Sequence, residues 1–301
     1  MKENLSITLR NILRDTARET EAARKRRSLK RVRQMIKDAP SIISFGEKLA
    51  GGYGLIGEIK ECSPSQGKMN PKNVSHAQEA YKSSSFVKAV SVLTNRTHFG
   101  ASMTVERMLK IKEFCGKPIL RKDFITEAYQ VYEARAFGAD AILLMANILD
   151  KNQLRDLSDI AFELEMDVLF ETHSADELDD LPSAAAAIGI NCRNFNSSPS
   201  GFKFAKIWRK WLWGNSDKST NISRFDYASQ IPDGVVKIAE SGVTPDNCAD
   251  VFAKGFNAVL VGTSLLLDER GVEGALADFE KVLSTLKAEV KQSAALQPAF
   301  A

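Results

Sequence analysis

The chain has 301 residues, enough for one large domain or two ordinary ones, and its 41 Lys and Arg against 38 Asp and Glu leave a formal net charge of +3. A charge so close to balance excludes a general attraction to nucleic acid or to a membrane surface, although it permits a local anion site. The four cysteines form no CxxC pair, which argues against a zinc centre or a disulfide framework and favours a reducing compartment.

The first residues, Met1 to Arg14, mix charged and apolar side chains and lack the apolar core of a signal peptide. No stretch of the chain approaches the roughly 20 apolar residues that a membrane helix needs. We therefore expect a soluble, cytoplasmic protein that contacts neither membrane nor nucleic acid.

Residues Ser6 to Asp38 are predicted to form a helix, because apolar residues recur at spacings of three and four up to the stop at Pro40. The second half of this helix carries a basic run made of Arg24–Arg27, Lys30, Arg31 and Arg33. Such a run is able to contact nucleic acid, or it forms a solvated helix face balanced by nearby acidic residues. We favour the solvated face.

From Gly54 onward, eight short apolar runs alternate with helical patterns. The runs span residues 55–60, 89–93, 118–122, 141–145, 167–171, 187–191, 235–239 and 258–261. Several helical segments between them close at a glycine, as at Gly116, Gly138 and Gly255. Eight strand-then-helix units predict an α/β fold, a (β/α)8 TIM barrel with additional N-terminal helices at about residues 5–50. We expect residues 1–290 to form this single unit.

One of the eight units is longer than the others. The spacing between the sixth and seventh runs roughly doubles, and the extra residues, about 200–225, place Trp208, Trp211 and Trp213 among lysines and arginines. Interleaved basic and aromatic side chains are able to stack on bases or to line a partner groove, whereas an inserted loop would pack them on the barrel rim. We favour the inserted loop. Residues 291–301 are small and aperiodic and are predicted to be a disordered tail.

The first apolar run ends in charge. Because strand side chains alternate between faces, Glu58 and Lys60 point the same way. Inside a barrel, two such charges must be paired or used in chemistry. The small, hydroxyl-rich loop that follows, at 63–67, indicates a lid or an anion-binding turn rather than a tight hairpin.

Charged and polar residues also close most of the other runs. They are Lys122 and Asp123, Glu171, Asn191 and Arg193, and Glu240. The carboxyl ends of barrel strands meet at one mouth, where active sites lie, so several of these side chains should converge. The turns Ser241-Gly242 and Gly262-Thr263-Ser264 follow the last two runs, the place where barrels commonly bind phosphate.

Six motifs, taken together and in this order, resemble the indole-3-glycerol phosphate synthase family. They are Gly57-Glu58-Ile59-Lys60 with Ser63-Pro64-Ser65, Leu120-Arg121-Lys122-Asp123-Phe124, Leu169-Phe170-Glu171-Thr172-His173, Ile188-Gly189-Ile190-Asn191-Cys192-Arg193-Asn194, Ala239-Glu240-Ser241-Gly242 and Val261-Gly262-Thr263-Ser264. The resemblance covers about residues 5–285. It implies closure of 1-(2-carboxyphenylamino)-1-deoxyribulose 5-phosphate to indole-3-glycerol phosphate, with loss of carbon dioxide and water, in tryptophan biosynthesis. It implies a small phosphorylated substrate and no metal or organic cofactor. The family is often monomeric or fused to neighbouring pathway enzymes, so a monomer is one of the oligomeric states that stay open.

The resemblance also implies a role for each motif residue. Lys122 would be the general acid at the ketone oxygen, and we expect the like charge of Lys60 to lower its pKa. Glu171 would be the general base, Lys60 would hold a carboxylate or phosphate and share acid duty, and Glu58 would tune the lysines. The other implied contacts are Asn191 and Arg193 at the anthranilate part, Phe99 and Phe124 as an apolar wall, Glu240 at substrate hydroxyls, and Ser63, Ser241, Gly242, Gly262 and Thr263 at the phosphate.

Some residues depart from the family pattern or lie outside its roles. Phe195 stands where a leucine is expected, Glu61 reverses a charge that is usually basic, and we interpret His173 as a loop residue rather than a participant. Two alternatives stay open. One is another phosphate-binding barrel of the same pathway; the other is a barrel without catalysis that binds a partner through its basic helix and tryptophans. The joint presence of Lys60, Lys122 and Glu171 favours the synthase.

Overall fold

Eight parallel strands close into a barrel in the computed structural model of the protein, and helices cover its outer face. The structure describes residue 2 and residues 5–64, 66–193 and 220–295, without side chains for 293–295. Around the barrel the strand order follows the chain, and the last strand pairs in parallel with the first. The predicted (β/α)8 barrel is therefore confirmed.

The elements follow in chain order. The strands are β1 (Gly54–Ile59), β2 (Cys62–Ser63), β3 (Gly67–Lys68), β4 (Val87–Leu93), β5 (Ile119–Lys122), β6 (Ala141–Met145), β7 (Asp167–Thr172), β8 (Ala187–Asn191), β9 (Val236–Glu240) and β10 (Ala258–Val261). The helices are α1 (Ile7–Arg26), α2 (Leu29–Met35), α3 (Phe45–Ala50), α4 (Pro71–Ser83), α5 (Arg96–Phe99), α6 (Val105–Cys115), α7 (Ala128–Ala136), α8 (Lys151–Glu163), α9 (Pro245–Ala253), α10 (Thr263–Leu266) and α11 (Gly271–Ala295). Short 3-10 helices lie at Ile36–Asp38, Ala175–Asp180 and Ile222–Gln230.

The barrel strands are β1 and β4 to β10, and their positions agree with the eight apolar runs. Three runs coincide with β6, β8 and β10, and the other five differ by one or two residues at an end. Every residue of β1, β6 and β8 is buried. A strand that is covered by helices on one side and by the barrel interior on the other shows a continuous apolar run rather than alternation, which is why length and spacing identified these strands.

The N-terminal segment forms two helices and a 3-10 turn, so the prediction of one helix from Ser6 to Asp38 is wrong. The chain is extended at Arg27, and the Ser28 hydroxyl accepts a hydrogen bond of 3.3 Å from the Arg31 amide to begin α2. A serine that competes for backbone hydrogen bonds favours a helix start over a helix interior. The apolar spacing continues across this break, and periodicity alone could not reveal it.

Three arginines of the basic run pack against α7 and its flanking residues. Arg24 forms a 2.7 Å ion pair with Glu127, Arg33 lies over the Tyr132 ring at 4.3 Å, and Arg27 lies over the Phe137 ring at 4.8 Å. Guanidinium groups that stack on rings bury their planar faces while keeping their charge paired. These contacts give the basic run a structural role and support its interpretation as a balanced helix face.

Two carboxylates at the amino-terminal end of the barrel hold the residues around the start of α3. Asp167 accepts hydrogen bonds from the backbone amides of Phe45 and Gly46 at 2.7 and 3.0 Å, and Asp140 accepts one from the Ile43 amide at 2.7 Å. Asp140 also forms a buried 2.7 Å ion pair with Lys112. The extension is thus joined to the end of the barrel opposite the predicted mouth.

Two further expectations differ from the structure. The loop after β1 was expected to be a lid or an anion-binding turn rather than a tight hairpin. Instead, β2 and β3 pair as a small antiparallel ribbon, with Cys62 opposite Lys68 and Ser63 opposite Gly67. Helix α11 continues to Ala295, so the first five residues assigned to a disordered tail are helical. The remaining tail residues, 296–301, and most of the predicted insertion, 200–219 with its three tryptophans, lie outside the described residues.

In the described part of the chain, no helix combines the length and the apolar character needed to cross a bilayer. The same residues contain no group of three or more His, Cys, Asp or Glu side chains placed to hold a metal ion. All four cysteines are free thiols, and three of them are buried.

Candidate active site at the barrel mouth

Lys122 lies at the centre of a charge cluster inside the carboxyl-terminal end of the barrel. Its ammonium donates to Glu171 Oε2 at 3.0 Å and to Glu240 Oε2 at 3.1 Å. The three residues end or nearly end β5, β7 and β9, and the glutamate side chains are almost fully buried. Alternate strands of a barrel contribute one layer of inward side chains, so this convergence follows from strand position.

The cluster raises the pKa of Lys122 and Glu240 and lowers the pKa of Glu171. Burial disfavours the Lys122 ammonium, but the carboxylates of Glu171, Glu240 and Glu58 outweigh burial and raise the pKa of Lys122 above its ordinary value. The prediction that Lys60 lowers this pKa is therefore wrong, because the sequence could not show that two carboxylates from β7 and β9 would lie against the same ammonium.

The two glutamates separate into a base and an acid. Burial alone would raise the pKa of Glu171, yet the charge of Lys122, then His173, and then hydrogen bonds from Lys122 and Asn191 lower it overall. Burial raises the pKa of Glu240, Lys122 partly offsets this, and the charge of Glu171 brings it to about 8. At neutral pH Glu171 is therefore ionised while Glu240 keeps its proton, a separation typical of paired catalytic carboxyl groups.

Glu58 and Lys60 form a second, adjoining pair. Glu58 Oε1 lies 2.5 Å from Lys60 Nζ, and both side chains are buried. Burial raises the pKa of Glu58, but the charges of Lys60 and Lys122 and the hydrogen bond from Lys60 lower it overall. A shared face for these two residues was predicted from the strand alternation, and the structure brings them together.

Asn191 connects the base to the rim of the barrel. Its side chain hydrogen bonds to Glu171, and its Oδ1 accepts from the Arg193 amide at 2.9 Å. Arg224, which the sequence analysis did not consider, donates to the carbonyls of Asn191 and Arg193 at 3.1 and 3.0 Å. Arg224 lies in a 3-10 helix remote in sequence from either carbonyl, and no motif pointed to it.

Phe99 and Phe124 face each other at one side of the mouth. Their ring centroids are 6.2 Å apart with an interplanar angle of 16°. Phe124 is buried and Phe99 is half-buried, and the Phe99 carbonyl accepts a 2.9 Å hydrogen bond from the Glu61 amide just after β1. The pair forms an apolar surface beside the charge cluster, as expected for a wall against an aromatic ring.

The residues predicted to bind phosphate lie on three neighbouring turns. Ser241 and Gly242 have positive φ angles of 66° and 80°, Gly262 precedes the short helix α10, and the Ser264 hydroxyl donates to the Val243 carbonyl at 3.2 Å. Ser63 is buried in the β2–β3 ribbon, where its hydroxyl accepts from the Gln66 amide. The Asn70 amide in turn donates to the Leu266 carbonyl at 3.2 Å, which links the region after β1 to the turn after β10.

Two charged residues near the strand ends do not join the mouth. Asp123 turns to the outside of β5 and binds Arg121 at 3.2 Å and the Thr94 hydroxyl at 2.6 Å. Glu61 forms a 3.0 Å ion pair with Arg107 and accepts from Ser102. Strand alternation places both on the face opposite the lysine that precedes each of them.

His173 lies deeper than a loop histidine would. Its Nε2 is 3.5 Å from Glu171 Oε1, and 9% of its side chain is exposed. Burial lowers the pKa of His173, Glu171 raises it in part, and the cations Arg224 and Lys122 lower it further. His173 follows β7 in the connecting loop, as interpreted, but it is buried beside Glu171. A histidine two positions after a buried strand carboxylate was the signal in the sequence that indicates this position.

Comparison with known proteins agrees with this arrangement. A family model described as indole-3-glycerol phosphate synthase matches residues 9–198. Two curated relatives of that name are an enzyme from Chlorobium phaeovibrioides, 35% identical over 84% of this chain and 92% of its own, and one from Laribacter hongkongensis, 34% identical over 87% and 95%.

Solved structures share the architecture at low sequence identity. Thiamine phosphate pyrophosphorylase from Pyrococcus furiosus matches with a TM-score of 0.53 and 13% identity over 79% of this chain and 98% of its own. The 3-hexulose-6-phosphate synthase from Salmonella typhimurium matches with a TM-score of 0.53 and 14% identity over 77% and 99%. At such identities the likeness concerns the barrel fold alone.

Proposed function

The chain belongs to the indole-3-glycerol phosphate synthase family, and we propose on that basis how its residues divide the reaction among themselves. The enzyme is a carboxy-lyase of tryptophan biosynthesis that converts 1-(2-carboxyphenylamino)-1-deoxyribulose 5-phosphate to indole-3-glycerol phosphate, carbon dioxide and water. The observation that carries the assignment of roles is the position of the Lys122 ammonium between the ionised Glu171 and the protonated Glu240, at 3.0 and 3.1 Å.

In the first step, Lys122 donates a proton to the ketone oxygen of the substrate. The ketone carbon then bonds to the ring carbon that bears the carboxylate, and carbon dioxide departs with its electron pair restoring the aromatic ring. The raised pKa of Lys122 keeps its ammonium charged at neutral pH, so that this charge stabilises the alkoxide as it develops and the proton moves to the oxygen as that oxygen becomes basic. Phe99 and Phe124 form the apolar surface against the aromatic ring.

In the second step, the new hydroxyl leaves as water and a carbon of the closed ring loses a proton. Glu171 takes that proton, since its lowered pKa keeps it ionised and its Oε2 already lies at the centre of the cluster. Lys60, with Glu58 as its ion-pair partner, holds the substrate carboxylate during ring closure. Lys122, protonated again after the first step, supplies the proton to the departing hydroxyl. Asn191 orients Glu171 through its side-chain hydrogen bond, and Arg193 follows on the same rim.

The remaining contacts fix the substrate. The turns at Ser241-Gly242 and Gly262-Thr263, with Ser63, bind the phosphate, because positive-φ and glycine backbone exposes amide groups there. Glu240 donates a hydrogen bond from its protonated carboxyl to a substrate hydroxyl. We further propose that the enzyme works in the cytoplasm, where reducing conditions suit its four free thiols, and that it works as a monomer, as members of the family often do.

Replacement of Lys122 by Met tests the assignment of the general acid. We expect Lys122→Met to lower kcat by about 10²- to 10⁴-fold, the usual contribution of general acid catalysis, with the fold unchanged. The measurement is the rise in indole fluorescence on mixing enzyme and substrate, and Lys110→Met, at an exposed position of α6, is the matched control. Turnover near the wild-type rate in Lys122→Met would remove Lys122 from this role.

A further inference from the structure

The reaction consumes one proton from solution in each turnover. The substrate carboxylate leaves as neutral carbon dioxide, two protons are given to the ketone oxygen that departs as water, and only one proton returns from carbon to Glu171. The protein must therefore admit one solvent proton to a cluster whose acids and bases are buried. The need for this solvent proton at the cluster follows from the proposed roles of Glu171 and Lys122.

The two carboxylate oxygens of Glu171 face different groups. Its Oε2 accepts from Lys122 Nζ at 3.0 Å, whereas its Oε1 lies 3.5 Å from His173 Nε2. The Glu171 side chain has no exposed surface, while 9% of His173 and 15% of Glu177 is exposed. Proceeding from Lys122 through Glu171 and His173 to Glu177 thus leads from the buried cluster to solvent.

The geometry beyond His173 completes the connection. His173 Nδ1 lies 4.0 Å from Glu177 Oε2, and the same oxygen accepts a 2.7 Å hydrogen bond from the His173 amide, which holds the carboxyl beside the ring. A movement of about 1 Å brings both imidazole nitrogens within hydrogen-bond distance of the two carboxylates. Glu177 belongs to the 3-10 helix that directly follows β7, so the strand and its next turn carry all three groups.

We propose that His173 and Glu177 form a proton relay that carries a solvent proton to Glu171 and from there to Lys122. After ring closure has taken the Lys122 proton, Glu177 gives a proton to His173 Nδ1 and recovers one from water, His173 Nε2 gives a proton to Glu171, and Glu171 passes it to the Lys122 amine. Glu171 is then a carboxylate again; it takes the proton from carbon in the second step and returns it to Lys122, which has protonated the departing hydroxyl. Each transfer moves one proton and no other bond. The sum is the uptake of one proton, which balances the departure of neutral carbon dioxide.

The charges around the relay suit brief rather than permanent protonation. Glu171, Lys122, Arg224 and Glu177 are the charged groups near the imidazole, and burial together with the two cations keeps the pKa of His173 below its ordinary value. Burial raises the pKa of Glu177, with Lys2 partly offsetting this. A neutral histidine between two carboxyl groups is able to accept a proton on one nitrogen and release one from the other.

The test uses variants that retain the structural contacts but remove the proton carriers. Glu177→Gln keeps an oxygen to accept from the His173 amide, and His173→Ala opens space for a small buffer molecule. We expect both to lower kcat about 10- to 100-fold, with KM little changed, since neither residue contacts substrate. The exposed Asp176→Asn, in the same 3-10 helix, is the control and should behave as wild type.

Buffer rescue distinguishes a relay from a structural role. At fixed pH and ionic strength, imidazole should raise kcat of His173→Ala and Glu177→Gln in proportion to its concentration and leave the wild type unchanged. Unchanged kcat in both variants, or a loss that imidazole does not restore, would overturn the relay. Glu171→Gln separates this from the proposed function: it should be inactive at every imidazole concentration, and if it is active, the assignment of the base itself fails.

Discussion

At the scale of single residues, two glutamates that contact the same lysine have pKa values shifted in opposite directions. Glu171 and Glu240 are both buried and both accept from Lys122, but Glu171 has the additional hydrogen bond from Asn191 and keeps the negative charge. Two carboxylates close to one ammonium cannot both remain ionised in a low dielectric, so the second one retains its proton. Lys122 stabilises the negative charge, and His173 and Asn191 beside Glu171 favour Glu171 over Glu240 as the group that carries it.

The retained proton on Glu240 has a measurable effect on stability. Its pKa is about 8 in the folded protein against an ordinary value of 4.5, so between these values the folded state binds one more proton than the unfolded state. The free energy of unfolding therefore loses a contribution as pH rises through this window, by at most about 1.4 kcal/mol per pH unit. We expect Glu240→Gln to remove this loss, so that its stability relative to wild type increases from pH 5 to pH 8.

Urea unfolding of both proteins at several pH values measures this difference. Comparing the two proteins cancels other groups such as His173, whose lowered pKa has the opposite effect on the slope. A constant difference across the range would show that Glu240 is ionised throughout.

The motif residues could be predicted individually, but their electrostatic state could not. Strand alternation alone placed Glu58 beside Lys60 and located Glu171 and Lys122 at strand ends. The pKa of Lys122 depends on its neighbours across the barrel, which lie 49 and 118 positions away in sequence. The position of His173 beside Glu171 could have been expected, because a residue two positions after a strand carboxylate lies on the same face.

At the scale of secondary structure, the close approach of neighbouring strands depends on glycine. A Cβ added to Gly262, which follows β10, would overlap Glu58 Oε1 and lie 3.0 Å from both the Cβ and the Cδ of Glu58 on the adjacent β1. Rotation of the Glu58 side chain would relieve the overlap with Oε1 only by moving that oxygen away from Lys60, and it would leave the 3.0 Å contact with the Glu58 Cβ, which is fixed to the strand. Gly262 therefore makes room for the Glu58–Lys60 pair in addition to its predicted contact with phosphate.

We expect Gly262→Ala to fold but to lose at least about 10-fold in kcat/KM, because displaced Glu58 no longer holds Lys60 and positioning errors of about 1 Å are costly in active sites. Gly51→Ala is the matched control, since its Cβ would meet nothing within 4 Å. Steady-state kinetics and circular dichroism of the two variants give the comparison. Equal activity would mean that the turn after β10 shifts without disturbing β1.

Element boundaries were predictable where burial dominates and not where a hydrogen bond decides. The eight strands were located to within two residues at either end because each contains a short apolar run. The break at Ser28 and the β2–β3 ribbon depend on one hydroxyl and on four paired residues, respectively. Neither feature changes the apolar pattern from which the elements were predicted, so that pattern could not reveal them.

At the scale of the whole molecule, β8 and β9 pair directly in the barrel although residues 194–219 separate them in the chain. Arg193 and Thr220, the residues on either side, form an antiparallel bridge, and the Asn221 amide donates to the Cys192 carbonyl at 2.8 Å. The chain therefore re-enters the barrel beside the point where it left. The barrel closure itself was predictable from the count of strand and helix units, but this bridge was not.

We expect that residues 196–217 can be replaced by a short Gly-Ser linker with little change in stability, since loop-closure entropy changes by only about 0.6 kcal/mol per doubling of length. Turnover should persist if the segment is an inserted loop. Thr220 and Asn221, which fell within the predicted insertion, must be retained because they form the bridge and begin the following 3-10 helix.

Thermal unfolding and the indole fluorescence assay report on these two points. Loss of turnover in a folded variant would assign the segment to the active site. Loss of a co-purifying protein with turnover intact would instead favour the interpretation of the tryptophan segment as a partner surface.

The pairing of Lys60 with Glu58 also bears on how the product departs. The phosphate is common to substrate and product, but the carboxylate that Lys60 holds in the proposed mechanism is destroyed by the reaction. Glu58, 2.5 Å from the ammonium, then takes the place of the lost anion. On the proposed roles, Glu58 therefore competes with the substrate carboxylate for Lys60. Decarboxylation removes the substrate's side of this competition, so that the product binds more weakly than the substrate.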